Sequence, residues 1–220
     1  MQQINKLPYV KPKLGKDYWI KENTLPNAYE IWERCLSNSS WVLGFPWRNE
    51  MWPGMRSPEA LLPEEIEVIE NWVKKQTGAV KLWQEKAPDG GFLSHNFVQL
   101  VGEGESGPRP HTDSRRLCKY AGVLYLTPNA PAAGGTAFYR LRFPNGGLGG
   151  NTCPAPYANL REALGAAKLP LGAWKEDVVV PNVFNRLLVY RADLVHSATR
   201  YFGNDNRSKR MTVVFFWMSS

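Results

Sequence analysis

Apolar residues recur every three or four positions in two stretches of the first half of the chain. The clearer stretch is residues 63–77, PEEIEVIENWVKKQT, which opens with proline and acidic residues and ends with lysines before Gly78. That order complements the helix dipole and matches the usual capping residues. A similar spacing occurs in residues 26–37, PNAYEIWERCLS. The pattern predicts a helix over each stretch, with its apolar stripe packed in the core.

From residue 92 onward the pattern changes to short β-rich runs bounded by glycine and proline. Residues 144–174 interrupt these runs with a segment rich in glycine, proline and alanine, in which 157–167 could form a short helix. The runs predict strands over residues 92–101, 119–127, 136–143, 177–181, 186–191, 196–202 and 210–218.

Helices followed by strands predict one α+β domain over residues 1–220, a β-sandwich or jelly roll with the helices on one face. In this reading residues 1–91 provide helical support, and residues 92–218 form the core with 144–174 as an insertion.

The composition is that of a globular protein. The 220 residues are 43% hydrophobic and 21% charged, which excludes a disordered chain. No apolar run reaches the ~18 residues of a membrane span, and the N-terminus lacks the apolar stretch of a secretory signal. Three widely spaced cysteines form no CxxC pair, so we expect neither a disulfide framework nor a cysteine zinc site. These features favour a cytoplasmic protein without membrane association.

The net charge of +7 is unevenly distributed, because basic residues are concentrated in residues 109–119 and 186–210. A local positive field attracts small carboxylates, phosphates or nucleic acid. The alternative is that the charge serves solubility alone.

Two of the three histidines stand where a metal site would require them. His111 and Asp113 are two residues apart, so in extended backbone their side chains project to the same face. His196 stands at the head of a later predicted strand. Two imidazoles and one carboxylate form a facial triad, which leaves other octahedral positions open and suits Fe(II) oxygen chemistry. The alternative is that His111 lies in a loop and is hydrogen-bonded to Asp113, while His196 is a core histidine whose ring nitrogens are hydrogen-bonded there. The third histidine, His95, is expected to be structural.

The last predicted strand begins with a cation and a hydroxyl on one face. Arg210 and Thr212 are separated by one residue, so strand alternation places them together. The guanidinium offers a bidentate fork and the threonine adds a donor, which together suit a carboxylate.

These motifs occur in order as HTD (111–113), YAGVLYLT (120–127), GGTAFY (134–139), NRLLVYRADLVHSA (185–198) and RMTVVFFW (210–217). In this combination the sequence resembles the Fe(II)/2-oxoglutarate-dependent dioxygenase superfamily, most closely its prolyl-4-hydroxylase-like branch, which includes bacterial members. The resemblance covers roughly residues 92–218. It implies a double-stranded β-helix (jelly-roll) core. It also implies that His111, Asp113 and His196 hold the iron.

The resemblance further implies that Arg210, with Thr212, binds the distal carboxylate of 2-oxoglutarate. Arg207 is a rival, because Arg210 lies farther from the second histidine than is common in the family. Tyr125 matches an aromatic position that often lines the co-substrate pocket, and the alternative is a core tyrosine. Asn96 is open to the same two interpretations.

The implied reaction consumes O2 and 2-oxoglutarate, releases succinate and CO2, and hydroxylates an unactivated C–H of an amino acid, peptide or small natural product. Ascorbate or another reductant could assist. Nucleic acid is disfavoured as substrate, because no series of base-stacking residues accompanies the basic segments. Segment 144–174 could form a lid together with a set of aromatic residues, Trp41, Phe45, Trp47 and Trp52.

Two other functions remain open. One is a divalent-metal hydrolase that uses two histidines, an aspartate and water. The other is a non-catalytic jelly-roll protein that binds an acidic partner.

Overall fold

The computed structural model describes residues 7–166 and 169–220. Residues 1–6 of the predicted domain, and residue 167 at the end of the predicted helix 157–167, lie outside the described residues. The helices in the described part are α1 (Ala28–Leu36), α2 (Pro63–Thr77) and α3 (Leu160–Leu164). None of these helices is long and apolar enough to cross a bilayer.

Helix α2 begins and ends at the predicted residues. The backbone N–H of Leu62 donates to the Glu65 carboxylate over 2.8 Å, which satisfies an otherwise free group at the first turn. Gly78 takes the left-handed conformation, at φ 74°, that commonly ends a helix.

The helix predicted over 157–167 is confined to the five residues of α3. The Asn159 side chain caps its first turn by accepting from the Glu162 N–H over 3.0 Å. Gly165, at φ 61°, ends the helix one turn later.

The strands of the described part of the chain form two antiparallel sheets. The larger has the strand order β1-β9-β6-β11-β5-β3-β2, with β4 also paired to β11, and the smaller has the order β10-β7-β8. The strands are β1 (Tyr18–Lys21), β2 (Val42–Leu43), β3 (Met55–Ser57), β4 (Leu82–Trp83), β5 (Phe97–Val101), β6 (Tyr120–Tyr125), β7 (Thr136–Leu141), β8 (Trp174–Val180), β9 (Leu187–Arg191), β10 (His196–Ala198) and β11 (Arg210–Ser219). This largely antiparallel arrangement with few helices matches a jelly roll.

Some strand bounds differ from the predicted ones. The strand predicted from residue 92 begins only at Phe97, because Asn96 adopts φ 56° and its side-chain amide bonds both backbone groups of Leu61. The strand predicted over 196–202 ends at Ala198. The strand predicted over 177–181 starts three residues earlier, at Trp174, and ends at Val180.

Four short strands in the described part of the first 91 residues were not predicted. Strand β1 extends the larger sheet at one end and β3 with β2 at the other, whereas β4 pairs with β11. These four strands contain two to four residues each, too few for an alternating pattern to appear in the sequence.

Buried apolar residues form three clusters. Ile31 of α1 and Ile69 of α2 share one cluster with Val213, Phe215 and Trp217 of β11. A second cluster lies between the sheets, where Tyr125 and Phe138 meet residues of β9. A third joins β7 and β8 to α3 and to the chain around residue 153. Because β11 separates the first cluster from the space between the sheets, its alternate residues face different surroundings.

Candidate metal centre

Backbone pairing brings the three predicted metal ligands together. His111 and His196 form an isolated antiparallel bridge, with reciprocal N–H to C=O bonds of 3.0 and 2.9 Å. Their imidazole rings are therefore side by side, 4.5 Å between centroids. The Asp113 N–H donates to the Ala192 carbonyl over 3.1 Å, which holds the carboxylate beside them. One ligand atom from each residue lies within 4.8 Å of the others.

Backbone carbonyls orient both imidazoles. Nδ1 of His111 lies 2.8 Å from the Arg109 carbonyl, and Nδ1 of His196 lies 2.9 Å from the Leu194 carbonyl. Since a carbonyl can only accept, each Nδ1 carries the proton and each Nε2 offers a lone pair. The two Nε2 atoms lie 3.8 and 3.5 Å from the Asp113 carboxylate oxygens. This is the tautomer and orientation that metal-binding histidines require.

The donor set fits a divalent cation. Asp113 Oδ2 is buried and has no hydrogen-bond partner among the described residues. Burial lowers the pKa of His196 to about 4, although the Asp113 charge opposes the shift, so this imidazole is neutral at neutral pH. Unsatisfied buried carboxylate oxygens are costly. A cation bound by Oδ2 and the two Nε2 lone pairs would remove that cost, and the remaining coordination positions would stay open.

Arg210 enters the space between the sheets at the start of β11. It is buried, and its Nε and Nη2 donate to the carbonyls of Gly134 and Gly135 over 2.8 and 3.3 Å. Its guanidinium carbon lies 5.5 Å from the ring centre of Tyr125 and 5.8 Å from that of Tyr201. Since a guanidinium has five N–H donors, three remain available for a ligand. The carbonyls of the two glycines therefore position this arginine.

Thr212 and Tyr125 lie next to Arg210 on the same side of the sheet. The Thr212 hydroxyl is buried without a hydrogen-bond partner in the described part of the chain. Tyr125 is paired with Thr212 across the strands, and its hydroxyl donates to the Thr136 hydroxyl over 2.8 Å. Burial raises the pKa of Tyr125, so its phenol stays protonated and can donate. Arg210 and Thr212 together present free donors to a carboxylate.

Arg207 lies in a different environment. Both of its terminal nitrogens bond the Glu33 carboxylate, and its guanidinium stacks 4.4 Å from the Trp32 ring centre. The pair is exposed on the surface. This arrangement leaves Arg207 little capacity to bind a ligand between the sheets.

The remaining candidate residues are structural in their contacts. The Asn96 amide is used by the Leu61 backbone. His95 packs edge-on against Phe215 and Trp217, with ring centroids 5.6 and 5.4 Å away, and burial lowers its pKa to about 4. The cysteines are buried and unpaired, and burial raises the pKa of each thiol.

The two predicted lid regions differ in their packing. Trp41 packs against the cluster of α1 and α2, whereas Phe45 and Trp52 carry arginine side chains over their rings. Trp47 lies 5.9 Å from the Lys209 ammonium and is exposed. In the segment 144–174, by contrast, several residues are buried against the smaller sheet: Cys153, Leu160, Ala163, Leu164 and Trp174.

Sequence reasoning missed two residues that face the same space. Arg56 lies on the three-residue strand β3, and Tyr201 lies in the loop between β10 and β11. Arg56 stands in no run long enough to show which way its side chain points. Tyr201 stands in the strand predicted over 196–202, but that strand ends at Ala198, so alternation could not place its side chain.

Comparison with solved structures shows the same architecture in non-haem iron enzymes. The epimerase SnoN from nogalamycin biosynthesis, in complex with Fe3+, alpha ketoglutarate and nogalamycin RO, matches at a TM-score of 0.54 and 16% identity, over 93% of this chain and 79% of that one. HygX from Streptomyces hygroscopicus, with nickel, 2-oxoglutarate and hygromycin B bound, matches at 0.55 and 14%, over 94% and 84%.

A prolyl hydroxylase from Trichoplax adhaerens, in complex with a hypoxia inducible factor peptide, matches at a TM-score of 0.50 and 13% identity, over 93% of this chain and 84% of that one. No family model and no curated protein matches the chain. The chain therefore has the double-stranded β-helix fold of the Fe(II)/2-oxoglutarate-dependent oxygenases, and its likeness to the prolyl hydroxylases is one of fold.

Proposed function

We propose that this protein is a single-domain Fe(II)/2-oxoglutarate-dependent oxygenase that hydroxylates an unactivated C–H of an amino acid, peptide or small natural product. The observation that carries the proposal is the buried Asp113 Oδ2, which has no hydrogen-bond partner among the described residues and faces two imidazole Nε2 atoms within a jelly roll. In this proposal His111, Asp113 and His196 hold the iron. The N-terminal helices support the opposite face of the larger sheet.

Arg210 and Thr212 would bind the distal carboxylate of 2-oxoglutarate. Arg210 is buried and keeps free donors, and the Thr212 hydroxyl has no other partner among the described residues. Tyr125 would contribute the wall of this pocket, since its ring lies beside the guanidinium. A charge-assisted bond in this dry space is stronger than one in water.

Bound iron and 2-oxoglutarate would supply the oxidising power: one atom of O2 ends in succinate, CO2 leaves, and the other oxygen enters the C–H bond. The chain's own residues orient and protect this chemistry. The Leu194 and Arg109 carbonyls keep each imidazole proton on Nδ1, away from the metal. Tyr190 packs against His196 at 4.5 Å and Phe138 lies behind it, which excludes water from the buried side. Ascorbate or another reductant would keep the iron ferrous.

Solved structures of the same fold include an epimerase, SnoN, and a carbocyclase, SnoK. Hydroxylation is therefore tested by product mass. The substrate is proposed to be a small molecule or peptide and not nucleic acid, since the basic residues of 186–210 are largely used in ion pairs.

The test is an anaerobic titration of the protein with Fe(II) and then 2-oxoglutarate. We expect a visible charge-transfer band that is absent from His196→Ala, and succinate release once O2 is admitted with a substrate that gains one oxygen. A protein that binds metal but neither forms the band nor consumes 2-oxoglutarate would be a hydrolase or a binding protein instead.

A further inference from the structure

Tyr201 lies within the electrostatic reach of three arginines, and the guanidinium carbon of one of them, Arg210, is 5.8 Å from its ring centre. Burial raises the pKa of Tyr201, and the positive charges of Arg210, Arg109 and Arg56 act against that shift. Arg56 of β3 is paired with Gln99 of β5, and Gln99 is paired with Thr212 of β11. Residues opposite each other on paired strands point to the same face. Arg56 therefore projects to the side of the sheet that carries Thr212.

The basic residues of segment 186–210 other than Arg210 are neutralised locally. Ion pairs join Arg186, Arg191, Arg200, Arg207 and Lys209 to Glu22, Asp17 and Asp193, Glu103, Glu33 and Glu105 respectively. Arg56, Arg109 and Arg210 have no carboxylate within ion-pair distance in the described part of the chain. In the described part of the chain, the three arginines near Tyr201 therefore keep charges that no carboxylate of the protein neutralises.

Of the three arginines, Arg56 alone lies outside the basic segments 109–119 and 186–210. Its Nε is buried and has no hydrogen-bond partner among the described residues. Burial lowers its pKa to about 10, while Tyr201 and the Asp113 carboxylate oppose the shift, so the side chain is still cationic at neutral pH. A buried N–H without an acceptor is costly unless a ligand supplies one.

Aromatic rings hold two of these guanidiniums in place. Arg56 lies 4.9 Å from the ring centre of Trp52, and Arg109 lies 4.2 Å from that of Phe45. Both rings belong to one hairpin, in which the Phe45 N–H donates to the Trp52 carbonyl. A guanidinium stacked on a ring face keeps its in-plane N–H edges free to donate. Phe45 and Trp47 are exposed, so this corner of the site is open to solvent.

The charges of iron, 2-oxoglutarate and their protein ligands would balance one another and leave the corner beside Phe45 and Trp52 positive. Asp113 and the metal-binding carboxylate of 2-oxoglutarate would compensate Fe(II), and the distal carboxylate would compensate Arg210. Arg56 and Arg109 would stay uncompensated.

We propose that Arg56, assisted by Arg109, binds an oxyanion of the primary substrate, a carboxylate or a phosphate, against the aromatic wall of Phe45 and Trp52. This inference rests on the proposed function and adds the substrate class: an anion with an adjoining apolar or aromatic body. Arg56 is then a specificity-determining residue, separate from the residues that bind the metal and 2-oxoglutarate.

The experiment uses three probes with the same aromatic body: phenylacetate, phenyl phosphate and the neutral phenylacetamide. Equilibrium dialysis measures their binding to the full chain loaded anaerobically with Fe(II) and saturating 2-oxoglutarate. We expect one or both anions to bind, and the amide to bind at least about 10-fold more weakly. Arg56→Met should weaken anion binding by roughly 10-fold to 150-fold, the range for a charge-assisted hydrogen bond. Arg56→Lys should restore part of it.

Arg200→Met is the matched control, because Arg200 is an exposed arginine paired with Glu103. It should leave anion binding unchanged, and neither Met variant should change 2-oxoglutarate affinity. The proposal is overturned if no anion binds the wild type, if the amide binds equally well, or if Arg56→Met keeps the anion affinity. Loss of 2-oxoglutarate affinity in Arg56→Met, or displacement of 2-oxoglutarate by the anions, would also overturn it.

A different result would show that the oxygenase proposal itself is wrong. If 2-oxoglutarate produces no charge-transfer band, the oxygenase proposal is wrong. The dialysis still reports whether Arg56 binds an anion in that case.

Discussion

The two faces of the larger sheet have different roles although they belong to the same strands, and β11 shows the difference most directly. On one side Met211, Val213, Phe215 and Trp217 are buried in the apolar cluster shared with α1 and α2. On the other side Arg210 and Thr212 are also buried, yet they keep donors that no group in the described part of the chain accepts from. Burial on the first side stabilises the fold. On the second side it holds polar groups ready for a ligand.

Substitution of a metal ligand should have the largest effect on the site side. In His196→Ala we expect iron binding and turnover to fall to background, because the buried Nε2 donor is removed. Iron content and succinate release measure this. His95→Asn is the comparison, since His95 is also a buried histidine but lies at the helix side near Phe215. It should still bind iron, and a His196→Ala protein with full turnover would refute the assignment.

Substitution on the helix side should lower stability and leave ligand binding intact. Phe215 is fully buried, so Phe215→Ala should lower the free energy of unfolding by about 3–5 kcal/mol. Urea denaturation measures the loss. The folded fraction should bind 2-oxoglutarate with wild-type affinity. A large loss of that affinity would mean that the two sides are coupled.

His95 predicts a pH dependence of stability. Its pKa is about 4 in the folded protein against 6.5 when unfolded, so the unfolded state binds more protons between these values. The contribution of His95 to the free energy of unfolding is therefore fully present above about pH 6.5. It falls as the pH drops toward 4, by up to about 3 kcal/mol. His95→Asn should flatten this part of the curve, measured by urea denaturation at several pH values. An unchanged slope would show that His95 does not carry the effect.

Arg210→Met should weaken 2-oxoglutarate binding by roughly 10-fold to 150-fold, since it removes a charge-assisted hydrogen bond of about 1.5–3 kcal/mol. Iron binding should persist. Anaerobic titration of the Fe(II)-loaded protein measures both. The opposite outcome, with affinity lost in Arg207→Met and kept in Arg210→Met, would assign the co-substrate to the surface arginine.

The smallest effect is expected at the surface pair of Arg207 and Glu33. Both side chains are exposed, so water and salt screen their attraction. Arg207→Met should shift the Tm only slightly, and added salt should diminish the difference. A large shift at high salt would instead point to the packing of Arg207 on Trp32.

Strong local patterns predicted the parts of the fold that are long enough to repeat. The fifteen residues of α2 carry both the apolar stripe and the terminal signals, and their bounds are confirmed. The alternation in β11 placed Arg210 and Thr212 on one face, which the structure also has. Strands of two to four residues contain too few positions to alternate, and β3 with Arg56 could not be predicted for that reason.

The sequence by itself determined the kinds of ligand: HxD two residues apart, a histidine at the head of a strand, and a cation followed by a hydroxyl. Only the tertiary structure decided which of these groups meet. The bridge between His111 and His196 joins residues distant in the chain, and the register of β3 on β5 brings Arg56 to the site. It also decided which arginines lack an acidic partner, because ion pairs such as Arg207 with Glu33 form between segments far apart in sequence. Local patterns report backbone conformation, whereas long-range pairing depends on how whole elements pack.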